Sequence, residues 1–406
     1  MARRRIPLWL VAIVLAPVLI LTFAAGLWLW SWATAPTLHQ TPQDVPAMTQ
    51  SAPSSKWADA VERGRQAVRA TIIEHNLPGL SVAVGVDGES VWAEGFGWAD
   101  VENRTPVAPD MKFRIGTASM ALTSVAAGLL LEQGRLKLDD EIQTYVADYP
   151  RKPWPITLRQ LMGHVAGVRT DDGDEGPFGE RCERPAEGLK LFKNGTLLFQ
   201  PGTGYRFSSF GWILVSAAVE AAADEPLYTF MRRHIFEPLG MNDTRPDSKT
   251  DPIPNRVTMY FPRFAADNRY GLQFAPDQDY SCYTGAMAFL STPSDLVRFG
   301  MAINGSKLLK PETVKLLQTS QRLASGEETG YGLGWDLETV DLNGVPAREV
   351  GHDGDSVGGT VASLLTFPDQ QIVVAVSANT SWVDTYGLAV KIAQAFAADR
   401  KDPTRK

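Results

Sequence analysis

Two groups of β-like runs stand at opposite ends of the globular part of this chain, and its fold must bring them together. Leu80–Val86 and Glu89–Phe96 are separated by Asp87-Gly88, a dipeptide suited to a tight hairpin turn. Near the other end, Ala347–His352, Thr360–Phe367 and Gln371–Ser377 form a second group, with Pro368-Asp369 marking a turn. Helical patterns lie between and beside them. Trp57–His75 has apolar residues near i, i+4 spacing and is ended by Asn76-Leu77-Pro78-Gly79, and Leu388–Ala398 reads as a closing amphipathic helix. The expected fold class is α/β (α+β): an antiparallel sheet built from both chain ends, with a helix-rich lobe from roughly Ala118 to Gly300. No internal repeat interrupts this plan.

Charge and cysteines exclude several classes of function. The chain of 406 residues carries a net charge of -7 and has no basic stripe, which argues against a nucleic-acid partner. Cys182 and Cys282 are too few for a disulfide scaffold and lack CxxC spacing. Whether they pair in an oxidising compartment depends on whether the fold brings their Cα atoms within reach, which spacing does not decide. His39, His75 and His234 are scattered without metal-ligand spacing, so no metal and no cofactor is expected. The acidic run Asp171-Asp172-Gly173-Asp174-Glu175 lacks EF-hand spacing and reads as a solvated loop.

The N-terminus predicts a membrane anchor. Arg3-Arg4-Arg5 precedes an apolar run from Ile6 to Trp32 that contains no charged residue. A secretory signal has an apolar region of about 7–15 residues, whereas a membrane span needs about 20. Trp28, Trp30 and Trp32 at the far end suit an interfacial aromatic belt. Ala33-Thr34-Ala35 resembles a cleavage site, but Pro36 directly after it is a poor context, so length favours an uncleaved anchor. The arginines then stay cytoplasmic, and the main domain lies on the periplasmic side of the inner membrane. The expected organisation is an anchor over residues 1–32, a flexible linker over 33–55, one domain over 56–398 and a polar tail over 399–406.

Six short motifs in register resemble the serine β-lactamase-related family, in its class C β-lactamase, D-alanyl-D-alanine carboxypeptidase and esterase branch. Ile156-Thr157-Leu158-Arg159-Gln160-Leu161 through His164 and Gly167 is similar to that family's "ITLRQLLTHTSG" segment. Pro201-Gly202 through Phe207-Ser208-Ser209-Phe210-Gly211 is similar to its PG…Y-S-N/T-x-G block. Phe236-Glu237-Pro238-Leu239-Gly240-Met241 matches "F-x-PLGM", Leu290-Ser291-Thr292 through Asp295-Leu296 "STxxDL", and Tyr331-Gly332-Leu333-Gly334-Trp335 "YGLGW". Gly351-His352-Asp353-Gly354 matches the H-x-G of this branch, which includes the mitochondrial β-lactamase-like proteins of animals. The resemblance covers Lys56 to about Ala398 and implies the β-lactamase/transpeptidase-like fold.

The resemblance also implies where catalysis should reside, and there the chain departs from the pattern. Family chemistry uses a serine at a helix N-terminus, a lysine one turn later and a tyrosine that passes a proton to the leaving group. Those positions read Thr117, Met120 and Phe207. Thr117 keeps a hydroxyl but adds a methyl that restricts χ1. Met120 fills the lysine's volume without a proton-accepting nitrogen, and Phe207 keeps the ring of tyrosine without its hydroxyl. His352 survives, either as a general base or as a hydrogen-bonded strand histidine. Asp355, after Gly354, replaces a residue whose backbone N–H serves the oxyanion hole, and its carboxylate is expected to oppose developing negative charge. Ala286-Met287-Ala288 replaces a glycine-rich stretch and should reshape one wall.

Ser119, Ser208, Ser209, Gly354 and Asp355 are the expected pocket residues, and His164 reads as structural. Three readings follow. The first is a membrane-anchored pseudoenzyme whose pocket takes a cell-wall peptide, a β-lactam-like or an ester ligand, or whose domain docks a protein partner of unknown identity. The second is an active hydrolase with Thr117 as nucleophile and His352 as base. The third is a structural assembly module.

Overall fold

In the computed structural model, which describes residues 8–50, 54–169, 179–276, 278–356 and 358–400, the two ends of the chain meet in one antiparallel sheet. Its strands are β1 (Ala47–Thr49), β2 (Gly79–Val86), β3 (Glu89–Asp100), β4 (Asp336–Asp341), β5 (Pro346–Ser356), β6 (Thr360–Phe367) and β7 (Ile372–Ala378). Their order is β1-β3-β2-β7-β6-β5-β4, with the short strand Thr105–Pro106 paired to β3. The joint between the chain ends is β2 against β7, in register from Leu80 opposite Ala378 to Val86 opposite Ile372. Asp87 and Gly88 both have positive φ, 55° and 83°, so the β2–β3 connection is the tight turn that the dipeptide predicts.

Side-chain alternation along these strands separates two cores. Leu80, Val82 and Val84 of β2, with Val374 and Val376 of β7, point to a layer formed by α2 (Ala58–His75) and α6 (Thr385–Arg400). Ala83, Val373 and Ala375 point the opposite way, into a core shared with α3 (Ser119–Glu132), α4 (Ser209–Ala223) and α5 (Pro293–Asn304). Small residues on this inner face let α5 lie close: a Cβ at Gly85 would come within 2.4 Å of the Met301 sulfur.

Two sequence expectations change, and a third is met at the N-terminus. The N-terminal apolar run is a helix, α1, over Leu8–Thr34, and its stretch Leu15–Thr34, with a mean hydropathy of 1.6, is long and apolar enough to cross a membrane. Beyond it, the segment expected to be a flexible stalk is folded onto the domain. Pro36 O accepts a hydrogen bond from Asn76 Nδ2, His39 stacks on Trp98, Val45 is buried, and β1 pairs with β3. Composition misses this because edge pairing uses backbone groups that every residue carries. The expected polar tail begins inside α6, where buried Asp399 pairs with Arg63; residues 401–406 and the acidic run from Asp171 lie outside the described residues.

Cys182 and Cys282 form a disulfide, with Cα atoms 4.7 Å apart, and both are buried. The bridge spans a sequence separation of 100 residues, long enough for a loop-closure contribution of up to about 4.7 kcal/mol. Replacing both cysteines with alanine should lower unfolding stability by about 2–4 kcal/mol in denaturant melts. An unchanged midpoint would mean that the bridge does not constrain the unfolded chain.

Candidate active site

The segment carrying Thr117 is fixed from both sides. Phe113–Arg114 pairs with Leu290–Ser291, and Gly116–Ala118 forms a 3-10 turn leading directly into α3. Gly116 has φ +52°, a conformation that favours glycine, and its Cα approaches the backbone of Asp355. Opposite it, Gly354 on β5 lies so close that a Cβ there would meet Ile115 O at 1.9 Å and Ala118 N at 2.7 Å. The H-x-G glycine is thus the point where the sheet touches the start of α3.

This contact brings Thr117, Met120 and His352 together, but not in a proton relay. Thr117 Oγ1 donates to Asp353 O at 2.9 Å. A carbonyl holds a hydroxyl but does not remove its proton. His352 Nδ1 donates to the same carbonyl at 2.7 Å, since a carbonyl oxygen can only accept. In the tautomer with its proton on Nδ1 alone, Nε2 accepts from Tyr331 O–H at 2.9 Å. The lone pair that would serve a base is engaged by tyrosine, not by Thr117. The Tyr331 oxygen also lies 3.9 Å from the Met120 sulfur. Burial pushes the Tyr331 hydroxyl well above the usual phenol range, so it stays protonated. Met120, His352 and Tyr331 are almost wholly buried, and Thr117 is 8% exposed.

Phe207 enters from just before α4. Ser208 caps that helix by accepting from Gly211 N at 3.1 Å, and Ser208 and Ser209 are both buried. The Phe207 ring lies 4.3 Å from the His164 ring and 6.3 Å from that of His352, centroid to centroid. Ser119 Oγ donates to Gly116 O at 2.7 Å, so it braces the turn from below. Met287 and its two alanine neighbours are buried in the core around α3.

The Asp355 carboxylate is not directed at Thr117. Alternation along β5 turns it to the other face, where it accepts from Trp382 N–H and the Ser381 hydroxyl. The electrostatic opposition expected there is replaced by a link between the strand end and the loop after β7.

Two site residues escaped functional assignment from sequence. Tyr331 was visible only as the first letter of a motif, although it is the group that engages His352. His164, read as structural, is buried among the rings of the site, its own ring 4.6 Å from that of Tyr331. Its Nδ1 accepts from Ser208 N at 3.1 Å, its carbonyl accepts from Arg206 N, and its Nε2 has no hydrogen-bond partner among the described residues. The signal was present in both cases, a histidine and a tyrosine inside recognised motifs, but only folding shows that their rings meet.

Burial, with a smaller effect from the positive charge His352 can carry, holds His164 well below the usual histidine range. The unfolded chain therefore binds a proton near pH 6.5 that the folded protein refuses, so stability is full above that pH and falls as pH drops. Asp353, pushed up to about 6 mainly by burial, acts in the opposite sense, but does so in any His164 variant too. Between about pH 7 and about pH 5, His164→Asn should lose stability less steeply than the wild type, by up to about 1.4 kcal/mol per pH unit in denaturant melts. Parallel curves would show that His164 titrates normally.

Comparisons with known proteins identify the family and the fold. The Beta-lactamase family model matches residues 58–397. The human serine beta-lactamase-like protein LACTB, mitochondrial, is 28% identical over 87% of this chain and 83% of its own length. Penicillin-binding protein 4* of Bacillus subtilis is 25% identical over 69% of this chain and 63% of its own. Among solved structures, the penicillin-binding protein homologue from Pyrococcus abyssi superposes with a TM-score of 0.69 at 23% identity, covering 84% of this chain and 78% of that one. The D-amino acid amidase from Ochrobactrum anthropi reaches 0.71 at 20% identity, covering 84% and 100%. At these identities the structural matches speak for the fold alone.

Proposed function

The chain belongs to the β-lactamase family, and on that premise we propose that it is a membrane-anchored member whose pocket binds a ligand without acyl transfer. The observation that carries this reading is the fate of two hydrogens. The Thr117 hydroxyl is held by the Asp353 carbonyl, and the acceptor nitrogen of His352 is held by Tyr331. Met120 offers a thioether where the family keeps an amine, and Phe207 offers a ring without a hydroxyl. Removing a general base alone costs about 10²–10⁴ in rate, and groups that act as a unit lose most activity once one is gone.

The ligand class follows from what the pocket retains. Phe207 and Tyr331 pack their rings against His164, whose buried Nε2 has no hydrogen-bond partner among the described residues, and we take a carbonyl-bearing ligand as the class that would satisfy it. The family model's name and a relative named for penicillin binding support a cell-wall peptide or β-lactam-like compound as that ligand. The domain is assigned to the extracytoplasmic side, supported by the apolar α1 and the three arginines before it. The disulfide is consistent with that side.

The test is acylation. The full-length protein, incubated with a labelled penicillin, a fluorophosphonate and an activated ester, should show no mass adduct and no ester turnover above that of Thr117→Ala. An adduct or turnover lost in Thr117→Ala would overturn the reading and establish Thr117 as a nucleophile. Restoring serine, lysine and tyrosine together through Thr117→Ser, Met120→Lys and Phe207→Tyr should bring back measurable acylation if the pocket has kept its substrate geometry.

A further inference from the structure

The anchor helix and the domain are joined with almost no slack. The helix ends at Thr34, and by Pro36 the chain is already hydrogen-bonded to Asn76 of the domain. Two residues span at most about 7 Å, so the domain cannot stand away from the surface that α1 enters. Direct contacts make the same point. Arg263 donates to Thr34 O at 3.0 Å and Thr34 Oγ1 at 3.2 Å, and its guanidinium lies 5.4 Å from the Trp30 ring. Trp28 meets Tyr270 with ring centroids 6.4 Å apart.

Arg263 and Tyr270 belong to one small hairpin, Tyr260–Pro262 paired with Leu272–Phe274 and closed by Arg263 N donating to Gly271 O. Outside α1, the two most exposed large apolar side chains among the described residues are Phe274, 62% exposed, and Trp382, 51%. Both sit on this hairpin: Phe274 stacks on Tyr260 at 5.7 Å, and Trp382 meets Phe261 edge-on at 4.5 Å. From the Arg263–Gly271 closure to the Tyr260–Phe274 pair is three residues of strand, roughly 10 Å. Tyr260 and Phe261 are successive strand residues, so Phe274 and Trp382 present exposed aromatic rings from the two faces of the hairpin. With its Arg263 and Tyr270 touching the end of the apolar helix, this combination has the chemistry of the lipid headgroup layer.

We propose that the hairpin Tyr260–Phe274 and Trp382 lie in the headgroup layer of the bilayer that α1 crosses, so that the domain rests on the membrane in a fixed orientation. The proposal depends on α1 being a retained anchor. It also gives the site a direction. The Trp382 backbone N–H bonds the Asp355 carboxylate, so the end of β5 that carries Gly354 to the start of α3 is tied to the loop held at the bilayer surface.

The experiment uses the full chain in phosphatidylcholine vesicles containing a doxyl-labelled lipid. Single cysteines are introduced at four sites by Phe274→Cys, Trp382→Cys, Leu21→Cys in the anchor and Val345→Cys on the exposed β4–β5 turn, and each is labelled with an environment-sensitive dye. The native cysteines are occupied by their disulfide. Dyes at 274 and 382 should shift to the blue and be quenched severalfold more than the dye at 345. Quenching at 21 with 274 and 382 matching 345 would overturn the proposal and leave the anchor intact. Absence of quenching at 21 would remove the anchor and the proposal together.

Discussion

The antiparallel pairing of Gly79–Val86 with Ile372–Ala378 is the constraint on which the rest of the structure depends. It closes the sheet between strands from opposite ends of the chain and commits everything between them to one side or the other. Because side chains alternate along both strands, the same backbone ladder builds two cores: one beneath α2 and α6, the other shared with α3, α4 and α5. Without that joint, α5 has no inner face to pack on, and β5 has no fixed place from which to meet the start of α3.

The candidate site inherits its geometry from this arrangement. Gly354 brings the sheet to the turn that holds Thr117, leaving no room for a side chain between them. Family shape is therefore preserved where chemistry is altered. A methionine, a phenylalanine and a threonine occupy volumes that a lysine, a tyrosine and a serine fill elsewhere in the family. The hydrogens that remain are distributed to Asp353 O and His352 Nε2, acceptors already within the fold. In the proposed function this closed network holds a binding pocket, while the anchor and the aromatic hairpin set where that pocket faces.

Much of the fold was legible because its signals are local. Asp87-Gly88 specified its turn, and β-like runs specified five of the main strands to within a few residues. Edge elements were not legible. Ala47–Thr49 and Asp336–Asp341 have weak patterns of their own and are strands because a neighbouring strand offers unpaired backbone groups. The site divides in the same way. Thr117, Met120, Phe207 and His352 were found through motif register, whereas the hydrogen bond from Tyr331 to His352, the place of His164 between rings and the turning of Asp355 toward Trp382 required coordinates.

By itself, the sequence determined the class of fold, the apolar helix at the N-terminus and which side chains stand at Thr117, Met120 and Phe207. These follow from periodicity, composition and residue identity, all of which are properties of short stretches of chain. The tertiary structure decided which groups meet. It paired Cys182 with Cys282, placed the Thr117 hydroxyl on a carbonyl instead of a base, engaged the free nitrogen of His352 and drew the expected stalk onto the domain. Each of these depends on distances of a few ångströms between residues far apart in sequence, and such distances exist only after the two ends of the chain have closed the sheet.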